Sequence, residues 1–136
     1  MNRAIVTSRL ALRMPSEPAT VQDAALAQDL VDTLAAHANE CVGLAANMVG
    51  VRKRVIAFAD GDVTRVMLNP SITEKRDPYQ AEEGCLSLPD RRTTTRYRHI
   101  TVRWQDTDMS WHERSFSGFV AQIIQHEVDH CEGILI

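Results

Sequence analysis

The segment from Gly118 to Cys131 constrains the fold of this chain more than any other part of the sequence. Its apolar residues recur at helical spacing and predict an α-helix with one buried face: Phe119, Val120, Ile123, Ile124 and Val128. Gly133 follows as a stop signal for that helix. The second half of the segment carries His126, Glu127 and His130. A buried His–Glu–His cluster is costly unless its polar groups are paired or coordinated, so this helix needs partners from elsewhere in the chain.

Composition limits the classes of protein to consider. The chain has 136 residues, the size of one domain, so we expect residues 1–136 to form a single domain. The net charge of −3, with acidic and basic residues mixed, argues against the basic stripe of a nucleic-acid binder. No apolar run approaches the roughly 20 residues of a membrane helix. Residues 1–14 do not resemble a secretory signal and three widely spaced cysteines do not suggest a disulfide framework, so we expect a cytoplasmic protein.

The remaining elements indicate an α+β domain. Residues 20–38 predict a first helix with Thr20 as its N-cap, and residues 41–50 predict a tight turn with close backbone approach. We expect Asn69-Pro70 to open a polar loop that runs to about Glu83. Strand patterns occur at Val55–Ala59, Val63–Leu68, Thr93–Thr95, His99–Gln105 and in part of Ser110–Phe116.

The spacing of His126 and His130 is typical of a metal site. Residues at i and i+4 of a helix project from one face, about 6 Å apart along the axis, so both imidazoles can reach one ion. In this H-E-x-x-H pattern Glu127 can act as a general acid/base on a metal-activated water without being a ligand. Taken alone, however, the pattern also occurs by chance, and helix histidines are often surface groups or satisfied core groups.

A catalytic metal normally has three protein ligands, so one is missing. Only residues 131–136 follow the histidines, and neither Cys131 nor Glu132 is well placed. The third ligand is therefore expected upstream, with Cys85 as the best candidate. The alternative is that Cys85, between Gly84 and Leu86, is a small core residue.

Three segments of the chain resemble the signature segments of peptide deformylases: VGLAANMVG, EEGCLSLP and QHEVDH, in that order. Asn69-Pro70 and Arg96 also lie where that family has an Asn-Pro and an arginine. The likeness covers nearly the whole chain. It implies short antiparallel sheets wrapped around a central helix that carries the histidines. It also implies the removal of the N-formyl group from the initiator methionine of nascent polypeptides, with release of formate.

The resemblance also implies residue roles. Cys85, His126 and His130 match the ligands of one divalent metal ion, typically iron(II), with zinc, nickel or cobalt able to replace it. Glu127 matches the general acid/base, and Leu86 matches the residue whose backbone N–H faces the developing oxyanion. The expected partners are formylated peptide N-termini on nascent chains. Residues expected to contact the peptide are Val42, Gly43, Met48, Gly84, Arg92 and Ile123.

The chain departs from the family pattern at Met48, where the family has a glutamine whose amide donates to the oxyanion. Methionine has no N–H donor, and the loss of one such donor costs on the order of 3 kcal/mol. The amide of Asn47 is an alternative donor, although a shift of one residue aims it elsewhere. Cys41 replaces a family glycine; it is either a residue tolerated in a turn or a second thiol near the site. We also expect Glu83 and Arg96 to pair and brace the Cys85 strand.

Three functions remain open on these grounds. The first is a metal-dependent deformylase with weakened oxyanion stabilisation. The second is a related hydrolase that acts on another N-acyl substrate. The third is a non-catalytic relative that binds metal or peptide; the intact Glu127 argues against it, and Met48 argues for it. The sequence does not decide the oligomeric state.

Overall fold

A computed structural model describes all 136 residues and shows a mixed α+β fold with one antiparallel sheet and three α-helices. The strands lie in the order β1-β2-β3-β4-β5 across the sheet. The helices are α1 (Arg9–Leu12), α2 (Ala24–Ala36) and α3 (Gly118–Cys131). The strands are β1 (Gly43–Ala45), β2 (Val55–Asp60), β3 (Val63–Cys85), β4 (Leu88–Gln105) and β5 (Trp111–Ser117).

The prediction of a polar loop between Asn69 and Glu83 is wrong. β3 continues through this region to Cys85 and pairs with β4 along its length, so the fold has one sheet with two long strands and not several short sheets. The ladder is irregular where the sequence suggested a loop: the register shifts between Leu68 and Ser71, and Asn69 has a φ of 52°. A break of this kind lets Pro70 lie within a strand, because the ladder loses a hydrogen bond there in any case.

The β3–β4 hairpin closes tightly next to the candidate metal ligand. Cys85 pairs with Leu88, so Leu86 and Ser87 form a two-residue turn between the two strands. Pro89 follows the turn as the second residue of β4. The hairpin therefore holds Cys85 and Leu86 at its tip.

The predicted first helix begins later than expected. A 3-10 helix covers Val21–Asp23, and α2 follows it. Thr20 caps this 3-10 helix: its side chain accepts a hydrogen bond from Gln22 N–H, and the Asp23 carboxylate accepts one from Thr20 N–H. The tight turn expected over residues 41–50 contains β1 and a second 3-10 helix, Ala46–Val49, which ends at Gly50 with a φ of 85°.

Helix α3 has the predicted bounds and packs against the sheet. Its buried residues include Ile124 and Val128, which join one hydrophobic core with α2 and strands β1 to β5. Gly133 follows with a φ of 77°, and a Cβ there would lie 2.4 Å from the carbonyl oxygen of Arg13, so only glycine fits. Among the helices, none has the length and apolar character needed to span a bilayer.

Candidate functional site

Three potential ligand atoms converge beneath the hairpin tip. The Nε2 atoms of His126 and His130 lie 3.2 Å apart, and the Sγ of Cys85 lies 3.4 Å from Nε2 of His130. All three ligand atoms lie within 4.8 Å of one another. The i, i+4 spacing on α3 aligns the two imidazoles, and the end of β3 brings the sulfur to them.

A buried carboxylate fixes the orientation of His126. The Nδ1–H of His126 donates to Glu83 Oε1 at 2.8 Å, which leaves Nε2 turned toward Cys85 and His130. Arg96 donates to both oxygens of Glu83, at 2.9 and 2.7 Å, and to Asp129 at 2.7 Å. The expected pairing of Glu83 and Arg96 is confirmed, and it is a buried pair, with side chains 6% and 4% exposed.

This ion pair controls the charge of the groups around it. Burial alone would raise the pKa of Glu83, but hydrogen bonds from His126 and Arg96 outweigh it and hold the pKa at about 2. Burial would likewise lower the pKa of Arg96, yet Glu83 and Asp129 raise it above its usual value. Glu83 is therefore a permanent anion that accepts the Nδ1 proton of His126.

The two imidazoles have opposite proton affinities. Burial opposes charge on His126, but Cys85 and the carboxylates of Glu127 and Glu83 raise its pKa to about 10. Burial and the charge on His126 lower the pKa of His130 to about 3. The positive charge is therefore carried by His126, and His130 is neutral.

The carboxylate of Glu127 lies beside this cluster and is not tied down. Its side chain is 4% exposed, and Oε1 has no hydrogen-bond partner. Burial raises its pKa to about 7, only partly offset by His126. Gly43 leaves the room for this side chain, because a Cβ there would lie 2.7 Å from Glu127 Oε2 and 2.9 Å from Ile123 Cγ2.

The strand that contains Gly43 is an open edge of the sheet. β1 pairs only with β2, and the N–H of Ala59 donates to the carbonyl of Val42 at 2.9 Å. Backbone groups of successive residues alternate sides in an antiparallel strand, so the N–H and C=O of Gly43 face away from β2. These groups border the cavity next to Glu127 and can pair with an extended peptide.

A cavity of about 490 Å³ opens onto the cluster. Five of the six residues expected to contact the peptide line it, Val42, Gly43, Met48, Gly84 and Ile123, together with Cys85, Leu86, His126 and Glu127. Arg92 does not line it, and its guanidinium donates to the carbonyl of Asp90. Arg91 takes that place, with Nη1 3.3 Å from the Cβ position of Gly84 and hydrogen bonds to Glu82.

Met48, where the chain departs from the family pattern, and its neighbour Asn47 both form hydrogen bonds within the protein. Met48 is 1% exposed, and its Sδ accepts from the N–H of Ala45 at 3.5 Å. The amide of Asn47 does not line the cavity; it donates to the carbonyl of His130 at 2.8 Å. Neither side chain therefore offers a free N–H to the cavity.

The remaining cysteines differ in position. Cys41 lines the cavity, and burial together with the charge of Glu127 raises the pKa of its thiol to about 11. Cys131 is buried in the hydrophobic core, and burial raises the pKa of its thiol to about 12. Neither belongs to the ligand cluster formed by Cys85 and the two histidines.

Sequence reasoning missed some of the supporting polar residues. Asp129 completes the partners of Arg96, and Gln122 donates to Glu83 at 3.0 Å while it accepts from the hydroxyl of Tyr79 at 3.1 Å. The signal was Arg96 itself, an arginine at an inward-facing strand position, because its five N–H donors need more acceptors than one carboxylate offers when it is buried.

Comparison with known proteins shows the family to which the chain belongs. The family model described as polypeptide deformylase matches residues 3–136. A peptide deformylase of Clostridium beijerinckii is 48% identical over 136 residues, which is 100% of this chain and 100% of the relative. Peptide deformylase 1 of Clostridium perfringens is 41% identical over 113 residues, covering 81% of this chain and 76% of its own.

Solved structures agree with this placement. The crystal structure of peptide deformylase from Thermotoga maritima has a TM-score of 0.89 at 30% identity and covers 99% of this chain and 95% of its own. A Met-Ala-Ser-bound class I type b enzyme from Acinetobacter baumannii has a TM-score of 0.88 at 30% identity, with 99% and 96% covered. The chain therefore belongs to the polypeptide deformylase family, hydrolases that remove N-formyl groups.

Proposed function

We propose that this chain removes the formyl group from the N-terminal methionine of peptides, with one divalent metal ion held by Cys85, His126 and His130. The observation that carries the proposal is the convergence of these three ligand atoms at a cavity beside the unpaired carboxylate of Glu127. We further propose a cytoplasmic protein that acts on nascent chains.

The donor set fits a metal ion. One thiol sulfur and two imidazole nitrogens face one point, and the second nitrogen of His126 is held by a carboxylate, as in many metal-binding histidines. The two Nε2 atoms lie 3.2 Å apart, close enough for both to bind one cation. This set accepts iron(II), zinc, nickel and cobalt; we propose iron(II) as the ion in the cell.

The residues supply the proton transfers. When bound, the metal acts as a Lewis acid and lowers the pKa of water in the site. Glu127 takes a proton from the attacking water and returns it to the departing amine nitrogen, so that water and the N-formyl amide become formic acid and the amine, and the second proton passes from the acid to the amine to leave formate and an ammonium group. The backbone N–H of Leu86, in the turn next to Cys85, is the proposed donor to the oxygen that becomes negative.

The open edge of β1 supports peptide binding in an extended form. The N–H and C=O of Gly43 can pair with the first residue of the peptide, whose side chain then contacts Val42 and Ile123. The Acinetobacter baumannii relative was solved with a Met-Ala-Ser peptide bound, which supports peptides of this class as ligands. Gly84 and Arg91 border the path of the residues that follow.

The proposed oxyanion site is weaker than the family pattern implies. Met48 has no N–H to donate, and the amide of Asn47 is engaged with His130. One side-chain donor is missing, which costs on the order of 3 kcal/mol, or 10²–10³ in rate. The same observation favours a second candidate function, a faster reaction with another N-acylated peptide.

Release of the acyl group as a free acid, formate or another carboxylate, decides between these functions. Anaerobically purified protein is analysed for metal and assayed with formyl-Met-Ala-Ser and with matched acetyl and propionyl peptides. We expect formate release that is lost in Glu127→Ala and retained in Glu82→Ala, which removes an exposed carboxylate at the rim of the same cavity. Formate release no higher than that of Glu127→Ala would exclude deformylation, and faster hydrolysis of another acyl group would favour the second candidate.

A further inference from the structure

Asn47 connects the cavity wall to the helix that carries the histidines. It lies in the 3-10 helix Ala46–Val49, and its side chain is 4% exposed. The Nδ2 of Asn47 donates to the backbone carbonyl of His130 at 2.8 Å, a contact between residues 83 positions apart in the sequence. Its only side-chain partner is therefore the residue that also presents a ligand nitrogen to the cluster.

The two histidines of the cluster are supported differently. Nδ1 of His126 is held by Glu83 at 2.8 Å, whereas Nδ1 of His130 is buried and has no hydrogen-bond partner. An imidazole that uses Nε2 as a ligand atom carries its proton on Nδ1, and that N–H needs an acceptor. His130 therefore lacks a partner of the kind that His126 has.

The side chain of Asn47 provides a complementary group. Its Oδ1 is buried and also has no hydrogen-bond partner, and an amide oxygen is a hydrogen-bond acceptor. The contact between Nδ2 and the His130 carbonyl already holds the two residues against each other. A buried acceptor and a buried donor thus remain on two residues that touch.

We propose that Asn47 is a positioning residue for His130. Its Nδ2 fixes the backbone of His130, and its Oδ1 is the acceptor for the Nδ1–H when Nε2 binds metal, directly or through a small side-chain adjustment. This inference rests on the proposed metal site. It also explains why the amide of Asn47 does not replace the missing oxyanion donor next to Met48: this amide is already hydrogen-bonded to His130.

The test compares three variants after loading with cobalt(II). Asn47→Leu removes both polar groups at similar size, and Asn47→Thr restores a donor and an acceptor on one hydroxyl. Asn69→Ala is the control, because Asn69 also joins distant segments through its amide, but its partners are Ala19 and Gln105 and none is on α3. The measurements are the rate of cobalt release to a chelator and the ligand-field absorption of the bound ion.

We expect Asn47→Leu to release cobalt about tenfold to 100-fold faster with an altered absorption spectrum, and Asn47→Thr to stay within about threefold of the unmodified chain. Asn69→Ala should lose stability and keep both metal properties. If Asn47→Leu does not fold, Asn47→Ala takes its place against the same threonine variant. Unchanged release and absorption in the apolar variant would overturn the role of Asn47. If the unmodified chain itself binds no cobalt, the proposed metal site is wrong, and this inference falls with it.

Discussion

Oε2 of Glu127 lies 2.7 Å from the point where a side chain at Gly43 would begin. The acid/base candidate on α3 is therefore in direct contact with the edge strand β1, and position 43 has no room for a side chain. This contact places the backbone of Gly43, which is free to pair with a peptide, directly beside the carboxylate. In the proposed mechanism, peptide binding and proton transfer would therefore take place at adjacent atoms.

Replacing Gly43 with alanine is expected to displace Glu127 and to lower kcat/KM for formyl-Met-Ala-Ser by at least about 100-fold. The methyl group would meet Oε2 at 2.7 Å and Ile123 Cγ2 at 2.9 Å, closer than real contacts allow. Loss of a general acid/base costs about 10²–10⁴ in rate. Formate release and metal content are measured together, and the metal content should stay the same.

Gly84→Ala is the matched control on the opposite wall of the cavity. A Cβ there would meet only the Arg91 side chain, with Nη1 at 3.3 Å, and that side chain is exposed and flexible. We expect a change in kcat/KM of less than about tenfold, because the guanidinium can move aside. An equal loss in both variants would contradict a specific role of Gly43.

Arg96→Leu is expected to lower the free energy of unfolding by about 3–5 kcal/mol, because it removes the guanidinium that neutralises the buried carboxylate of Glu83. Both oxygens of Glu83 accept from Arg96, and the two side chains are 6% and 4% exposed. Urea titration measures the change. Arg91→Leu removes an exposed pair with Glu82 and should cost at most about 1 kcal/mol; similar losses in the two variants would refute the argument.

Met48→Gln is expected to raise kcat for formyl-Met-Ala-Ser by about tenfold or more, because the amide restores a donor to the oxyanion. Glutamine can also keep the existing contact, since its Oε1 can accept from Ala45 N–H where Sδ does now. Steady-state formate release is the measurement. Met67→Gln replaces another methionine that is 1% exposed, outside the cavity, and should give no gain. Unchanged turnover in Met48→Gln would show that oxyanion stabilisation is not weakened at this position.

The alkylation of Cys41 should depend strongly on pH. Its thiol has a pKa of about 11, raised by burial and by the charge of Glu127, and the thiolate is the reactive form. A raised pKa moves thiolate formation to higher pH, so the rate with iodoacetamide should climb about tenfold per pH unit from 8 to 10. Mass spectrometry assigns the modified cysteine, with Cys41→Ser as the blank.

The same experiment tests whether Cys41 is a metal ligand. Only Cys85 and the two histidines form the ligand cluster, so loading with zinc should not slow the alkylation of Cys41. Strong protection of Cys41 by zinc would assign the second thiol to the metal. A rate that levels off near pH 9 would show that the thiol is not perturbed by its surroundings.

The sequence predicted the elements whose signal is local. Helix α3 has its expected bounds because its apolar residues keep a helical period up to Gly133. The long β3 strand could not be found in this way. Residues 73–78 are exposed on both faces, so they lack the alternation that marks a strand, and the residues of β4 that pair with them lie far along the hairpin, between Tyr97 and Thr101. Asn69 and Asp77, with φ values of 52° and 62°, let the strand pass its two prolines.

In the candidate site too, the sequence predicted the residues with a local signal and not those that depend on tertiary packing. The spacing within α3 predicted the two histidines of the ligand cluster, and the resemblance of the EEGCLSLP segment to the family pattern implied Cys85, because each signal lies in a short segment. The positions of Arg91 and Arg92 relative to the cavity were not predictable, since neighbouring residues of a strand face opposite sides and the register of the hairpin decides which. The hydrogen bond from Asn47 to His130 depends on tertiary packing alone.

Gly43, Cys85 and His126 come from three segments far apart in the chain, which meet only in the folded molecule. Contacts of such high sequence separation form late and cooperatively. An ion held by Cys85 and the two histidines would therefore act as a reporter of global folding: opening of the β3–β4 hairpin or undocking of α3 would release it. Metal content per chain would then count the natively folded molecules in a preparation, independently of any assay of turnover.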